Sequence, residues 1–396
     1  MPYHNQKKEF SIPPIWRLAF RPFFLGGALF SILCIAIWLG SLLGVFTLNL
    51  YGGAYWWHAH EMIFGFSVAI IVGFLLTAVQ NWSGVRSING TALFILFSLW
   101  LVARILMFIR LPAIWVALPD IVFLVFSALA FCLPQIKAKQ IKNIYVLTPP
   151  LLCLALLNGL SHYALLNNKN ALPYFHSAIF VVIFFMVLLG SRVIPFFVGN
   201  AFKIPQPRPP KLIEYATNIS MLIVIAAAAF GFYRLPQWFI VGTALIAFCL
   251  NCIKVFYWFD RRVLSRSILW SLYAAYAFIP LGFLMLALHG LGVQGNFSLV
   301  LHSFSVGAIG GLIIAMASRV SLGHTGRPLI LPPAMPYALG IIIFGGFVRV
   351  IFPLANSDWY LPAVYISGFC WLAAFGIFLY HFTPIFLQAR ADGKPG

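Results

Sequence analysis

Apolar positions in this chain do not alternate with polar ones. They run in unbroken blocks of roughly twenty residues, the length a helix needs to cross the hydrocarbon core of a bilayer. The blocks recur from end to end, separated by short interruptions rich in proline, glycine or basic residues. This pattern predicts twelve transmembrane helices, near 23–45, 60–80, 91–109, 113–133, 146–166, 174–194, 216–233, 236–258, 267–289, 298–318, 334–353 and 362–387. Barrel strands would instead show alternation in segments of about ten residues. The expected fold class is all-α integral membrane. A cytoplasmic interfacial segment covers 1–22, a single twelve-helix membrane domain 23–387, and a cytoplasmic tail 388–396.

Composition sharpens this reading. Of 396 residues 62% are hydrophobic and 8% charged, against roughly 25% charged in soluble domains. A net charge of +18 would point to nucleic acid in a soluble protein, but here position gives it another meaning, and no nucleic-acid partner is expected. One set of alternate connections and tails holds Lys7, Lys8, Arg17, Arg21, Arg86, Lys137, Lys139, Lys142, Arg192, Lys203, Arg208, Lys211, Lys254, Arg261, Arg262, Arg266, Arg319, Arg327, Arg390 and Lys394. The other set holds only Arg110, Lys169 and Arg234, so the positive-inside rule predicts both termini in the cytoplasm. Arg104 and Arg349 fall within spans. The N-terminus imitates a signal peptide, but its apolar stretch is too long and lacks a small-residue cleavage site, so it reads as a retained first helix. Trp16, Arg17, Phe20 and Arg21 ahead of it read as an interfacial anchor. Cys249 and Cys252 form a lone C-x-x-C, read as two packing residues.

With this topology the histidines fall into order. His58, His60, His162, His176, His289 and His302 lie at outer helix ends, while His324 and His381 lie toward the inner face. Ionisable residues in a membrane are costly unless they face a partner or a cavity, so histidines at one depth form a site hypothesis. Imidazole suits haem iron and copper, and carboxylates are scarce at this depth, only Glu61 and Asp120 being present, which favours haem, copper or zinc over magnesium or calcium. Asp120, just after Pro119, reads as a helix cap. His58 and His60, two apart, point to opposite sides of an ideal helix. His60 is the better ligand, with Glu61 as a proton or supporting group. Asn158 and His162, four apart, share a face on which the amide would orient the imidazole.

The spans that begin with His60, His176 and His302 all run from outside to inside. Those of His176 and His302 end alike, in Ser191-Arg192-Val193 and Ser318-Arg319-Val320. This suggests three repeats of four helices.

These residues carry a family resemblance along most of the chain. Trp16-Arg17 with Phe20-Arg21-Pro22-Phe23-Phe24, Trp57-His58-Ala59-His60-Glu61-Met62 with Phe64-Gly65, and Asn81-Trp82-Ser83-Gly84 come first. Asn158 with His162, Gly190-Ser191-Arg192-Val193-Ile194-Pro195, and His302 with Gly307 and Gly310 follow. The block from Arg319 to Pro328, which includes Gly323-His324-Thr325-Gly326-Arg327, is the most specific. The set resembles the NnrS family. That resemblance implies a twelve-helix protein of the bacterial inner membrane, associated with haem and copper and with the response to nitric oxide.

On this reading His58, His60, His162 and His302 are the metal-ligand candidates. Arg319 and His324 join them around a cofactor, and Met62, His176, His289, Arg192 and Arg327 are further contributors. The arrangement is remotely similar to haem-copper oxidases and nitric oxide reductases, but helix 7 has no histidine and helix 10 has one. A complete binuclear reductase centre is not expected. Three readings stay open: a haem and copper protein that binds or removes nitric oxide, a polytopic transporter, and a respiratory oxidoreductase, for which no motif specifies an electron donor.

Overall fold

The computed structural model describes residues 10–394; His4, Lys7 and Lys8 lie outside them. The described residues form helices and no strands. In chain order the spanning helices are α1 Phe20–Leu42, α2 Gly53–Ser83, α3 Gly90–Leu106, α4 Ala113–Lys137, α5 Lys142–Leu166 and α6 Leu172–Phe202. They continue as α7 Lys211–Phe230, α8 Gln237–Trp258, α9 Ser267–Gly290, α10 Phe297–His324, α11 Met335–Ala355 and α12 Tyr360–Leu387. Eleven are long and apolar enough to cross a membrane, and α3 is an apolar helix of 17 residues. Each predicted block is thus a helix, and the protein is a multi-pass membrane protein.

The chain divides into two compact units. The first comprises residues up to Phe175 with Ala317–Ile330 and the chain from Phe378 onward. The second comprises His176–Met316 and Leu331–Ile377.

Within the first unit the N-terminal segment differs from a surface anchor. Arg21 is fully buried. Its NH1 donates to the carbonyls of Ile385, Phe386 and Gln388 at 3.2, 2.9 and 2.7 Å. The guanidinium therefore caps the C-terminal end of α12, where unsatisfied carbonyls and the helix dipole both favour a cation. Arg17 is also buried and donates to the carbonyls of Ile12 and Phe10 at 2.8 and 3.2 Å.

Two runs of four helices, α1–α4 and α9–α12, share a layout. α2 starts as a short α segment ending at His60, widens into a π-helical stretch over Glu61–Ser67, and resumes as α-helix from Val68. α10 does the same: α to His302, π over Ser303–Gly310, α from Gly311. In each case a glycine five residues after the histidine meets an aromatic of the preceding helix, Gly65 against Phe30 and Gly307 against Phe278. In each case the following helix carries a buried arginine near its C-terminal end, Arg104 and Arg349. α6, which bears His176, is α-helical throughout, so the expected threefold pattern appears at two of its three histidine-led helices. π turns hold an extra residue per turn and concentrate at functional sites, which directs attention to His60 and His302.

Candidate metal centre

His60 closes the first α segment of α2 and is fully buried. Its ring stacks on Trp56, one helical turn earlier, at 4.5 Å between centroids and 12° between planes. Phe64 and Phe175 close around it at 4.9 and 6.3 Å. Nδ1 lies 2.9 Å from Oε1 of Glu61. An ionised carboxylate only accepts, so Nδ1 carries the proton and the lone pair sits on Nε2. The carboxylate thereby fixes both ring orientation and tautomer, as such partners do for metal-bound imidazoles.

Nε2 of His60 faces Oδ2 of Asp120 at 3.2 Å, yet makes no hydrogen bond. His162 Nε2 lies 3.7 Å from the same oxygen and is also without a hydrogen-bond partner; its Nδ1 meets the hydroxyl of Tyr51 at 3.3 Å. The two imidazoles stand nearly edge to face, at 5.0 Å and 67°. One ligand atom from each of His60, Asp120 and His162 lies within 4.8 Å of the others.

Asp120 is the hub. It is the eighth residue of α4, buried in the helix interior and not at a cap. Pro119 before it removes one backbone hydrogen bond and loosens the turn on which it sits. Oδ1 accepts from Arg104, and Oδ2 accepts from Asn158 Nδ2 at 2.8 Å. The Asn158 amide thus positions the carboxylate, in place of the direct hold on His162 that their spacing implied. Arg104 NH1 donates to Glu61 Oε1 at 2.7 Å.

With neutral imidazoles, one guanidinium faces two carboxylates, Glu61 and Asp120. The cluster carries one net negative charge in an apolar interior, and acceptor lone pairs confront one another at Asp120 Oδ2. Such a cluster is unfavourable without one more cation. A proton on His60 would supply it, and so would a metal ion.

The remaining candidates go elsewhere. His58 turns away to stack on Trp38 at 4.4 Å and 15°. Met62 enters the π stretch, where its carbonyl accepts from Ser67 Oγ at 2.8 Å. His324, in the first unit, lies against Phe20 at 5.8 Å, and its carbonyl accepts from Arg390 at 2.8 Å. Arg327 reaches Gln388 Oε1 at 3.1 Å, and Arg319 is buried. His176, His289, His302 and Arg192 belong to the second unit, where His176 and His289 flank Phe297 at 4.7 and 5.1 Å. The sequence marks Arg104 only as lying within a span and Asp120 as a helix cap, and gives no sign of Tyr51 or Trp56. An arginine inside a span demands a buried counter-ion, and that demand is the signal that could have joined Arg104 to Glu61 and Asp120.

Helices of spanning length enclosing buried imidazoles and ion-paired carboxylates define a polytopic membrane protein with a polar centre inside its helices. The chain belongs to the NnrS family: the family model described as NnrS protein matches residues 14–390. No curated protein matches it.

Proposed function

We propose that this is a protein of the bacterial inner membrane, with both termini in the cytoplasm, in which His60, His162 and Asp120 hold a copper ion. At that centre it binds nitric oxide or a species derived from it, and so relieves nitrosative stress. The observation that carries the reading is the pair of buried imidazole nitrogens, without hydrogen bonds, converging with a carboxylate oxygen in a cluster one positive charge short. Imidazole and carboxylate donors would hold copper, as they would zinc or non-haem iron, and the family resemblance is what selects copper among them.

Bound copper would supply an open coordination position and one-electron chemistry. The protein's own residues do the rest. Glu61 holds the His60 tautomer, Arg104 and Asn158 fix the two oxygens of Asp120, and Trp56, Phe64 and Phe175 exclude water from the His60 ring. Nitric oxide is small and partitions into lipid, so a centre enclosed by aromatic rings needs no polar channel. Haem, also implied by the family, does not fit between His60 and His162: their rings are 5.0 Å apart and Asp120 reaches into the gap. Of the candidate histidines, His58, His176, His289, His302 and His324 are left for haem, and His324 lies on the unit that carries Arg21, Arg319, Arg327 and Arg390, cations that suit propionates.

The test is metal analysis and electron paramagnetic resonance of the full-length protein purified from membranes, beside His60→Ala and His162→Ala. Copper bound to the wild type and lost from both variants supports the reading. Full retention in both, or a protonated cluster that takes up no copper, overturns it. Nitric oxide titration of the loaded protein, and survival under nitrosative stress of cells lacking it, test the role.

A further inference from the structure

The second histidine-led helix holds a charge without a counter-charge. Arg349 on α11 is 2% exposed. Its NH2 donates to Ser298 Oγ at 2.9 Å and to Tyr360 Oη at 3.2 Å, and lies 3.4 Å from His302 Nδ1. Its NH1 is buried and has no hydrogen-bond partner. Among the described residues no carboxylate pairs with it. In the matching layout of the first unit, Arg104 is neutralised by two carboxylates.

A guanidinium taken out of water without an anion is strongly unfavourable, and two neutral hydroxyls do not offset it. The hydrogen-bond roles show what is missing. His302 Nδ1 lies 2.7 Å from the Ser298 carbonyl, an acceptor, so Nδ1 carries a proton. Ser298 Oγ accepts from Arg349 and from Tyr360, the latter at 3.1 Å, and faces the protonated Nδ1 of His302 at 3.0 Å. Its own proton, with the N–H groups of Arg349 NH1, is left as a donor. Ser298, His302 and Tyr360 are partly exposed, so the donors adjoin the surface.

We propose that Arg349 and Ser298, with Tyr360 bracing them, bind one small monovalent inorganic anion, a halide or a planar oxyanion. The site offers one positive charge and only donors, so it selects a single negative charge. It is built from residues of the second unit and does not depend on the proposed copper centre.

The test uses full-length protein in nanodiscs of zwitterionic lipid, exchanged into buffer whose only anion is bulky. Chloride, nitrate and nitrite are then titrated while thermal unfolding is followed by tryptophan fluorescence. A saturable rise in melting temperature is expected with at least one of them. Tyr360→Phe should weaken that response about tenfold, the worth of one hydrogen bond in a charged network. Arg349→Gln should abolish it. Should Arg349→Gln fail to fold, Ser298→Asp decides: it supplies the missing negative charge from the chain itself, so the melting temperature in the bulky-anion buffer should already be high and no longer respond. A wild type indifferent to all three anions, or a Ser298→Asp variant that responds as the wild type does, overturns the proposal. Stabilisation by anionic lipid in place of inorganic anion would assign the charge to a headgroup phosphate and overturn it equally.

Discussion

The indole N–H of Trp100 on α3 donates to the carbonyl of Gly65, inside the π stretch of α2, at 2.9 Å. A π turn displaces carbonyls from their usual partners four residues on, and in a lipid-facing protein no water replaces them. Trp100, almost wholly buried, does so. Trp100→Phe keeps the ring and orphans the carbonyl, and should cost about 1–3 kcal/mol, read as a lower melting temperature in detergent.

Arg104 ties three helices together through Glu61 of α2 and Asp120 of α4. Arg104→Met leaves two buried carboxylates unpaired and should destabilise by about 3–5 kcal/mol. Arg104→Lys should rescue little, because a point charge cannot make both bonds at once. Thermal unfolding of the three proteins measures this directly.

Asn158→Ala should leave the fold intact and weaken copper binding about 10–100-fold, the usual effect of losing a group that orients a ligand. Competition with a chelator of known affinity gives the value. Unchanged affinity would mean that Asp120 is held by Arg104 alone.

A methyl group at Gly65 would lie 2.7 Å from the Phe30 ring, 2.8 Å from Arg104 NH1 and 2.9 Å from Glu61 Oε2. Gly65→Ala should therefore cost about 1–3 kcal/mol by overpacking and reduce copper content as well, since two of the three displaced groups support the centre. Gly307→Ala, whose methyl would enter the Phe278 ring, should destabilise without touching copper.

Reporter fusions at Lys139 and Arg208 should read cytoplasmic and one at Asn168 periplasmic, as the partition of basic residues requires. The reverse would move the histidine-bearing helix ends to the other face.

The spans were legible because the bilayer imposes length and apolarity on every one of them, whatever it packs against. The start of α2 was not: Gly53–His60 is a short α-helical segment of tyrosine, tryptophan and histidine following Gly52 in a left-handed conformation at φ 73°, and it lacks the unbroken apolar run that marks the rest of the span. Asp120 shows the deeper limit. Beside Pro119 it has the local signature of a helix start, and only Arg104, sixteen residues earlier, and Asn158, far later, turn it into a buried hub. Pairing of this kind is a property of packed helices and leaves no periodic trace. Spacing sets His58 and His60 on opposite sides, as their stacking on Trp38 and Trp56 bears out, but grouping by depth does not separate one unit's histidines from the other's.

The π stretches divide α2 and α10 into lengths with independent phase. An α-helix advances about 100° per residue, so deleting one residue from 61–67 would leave Val68–Ser83 in its packing and swing His60 away from Asp120. The same deletion in 303–310 would swing His302 away from Arg349. The chemistry at the helix ends is thus geared separately from the bundle that anchors them, and single-residue insertions and deletions are the changes that reset it.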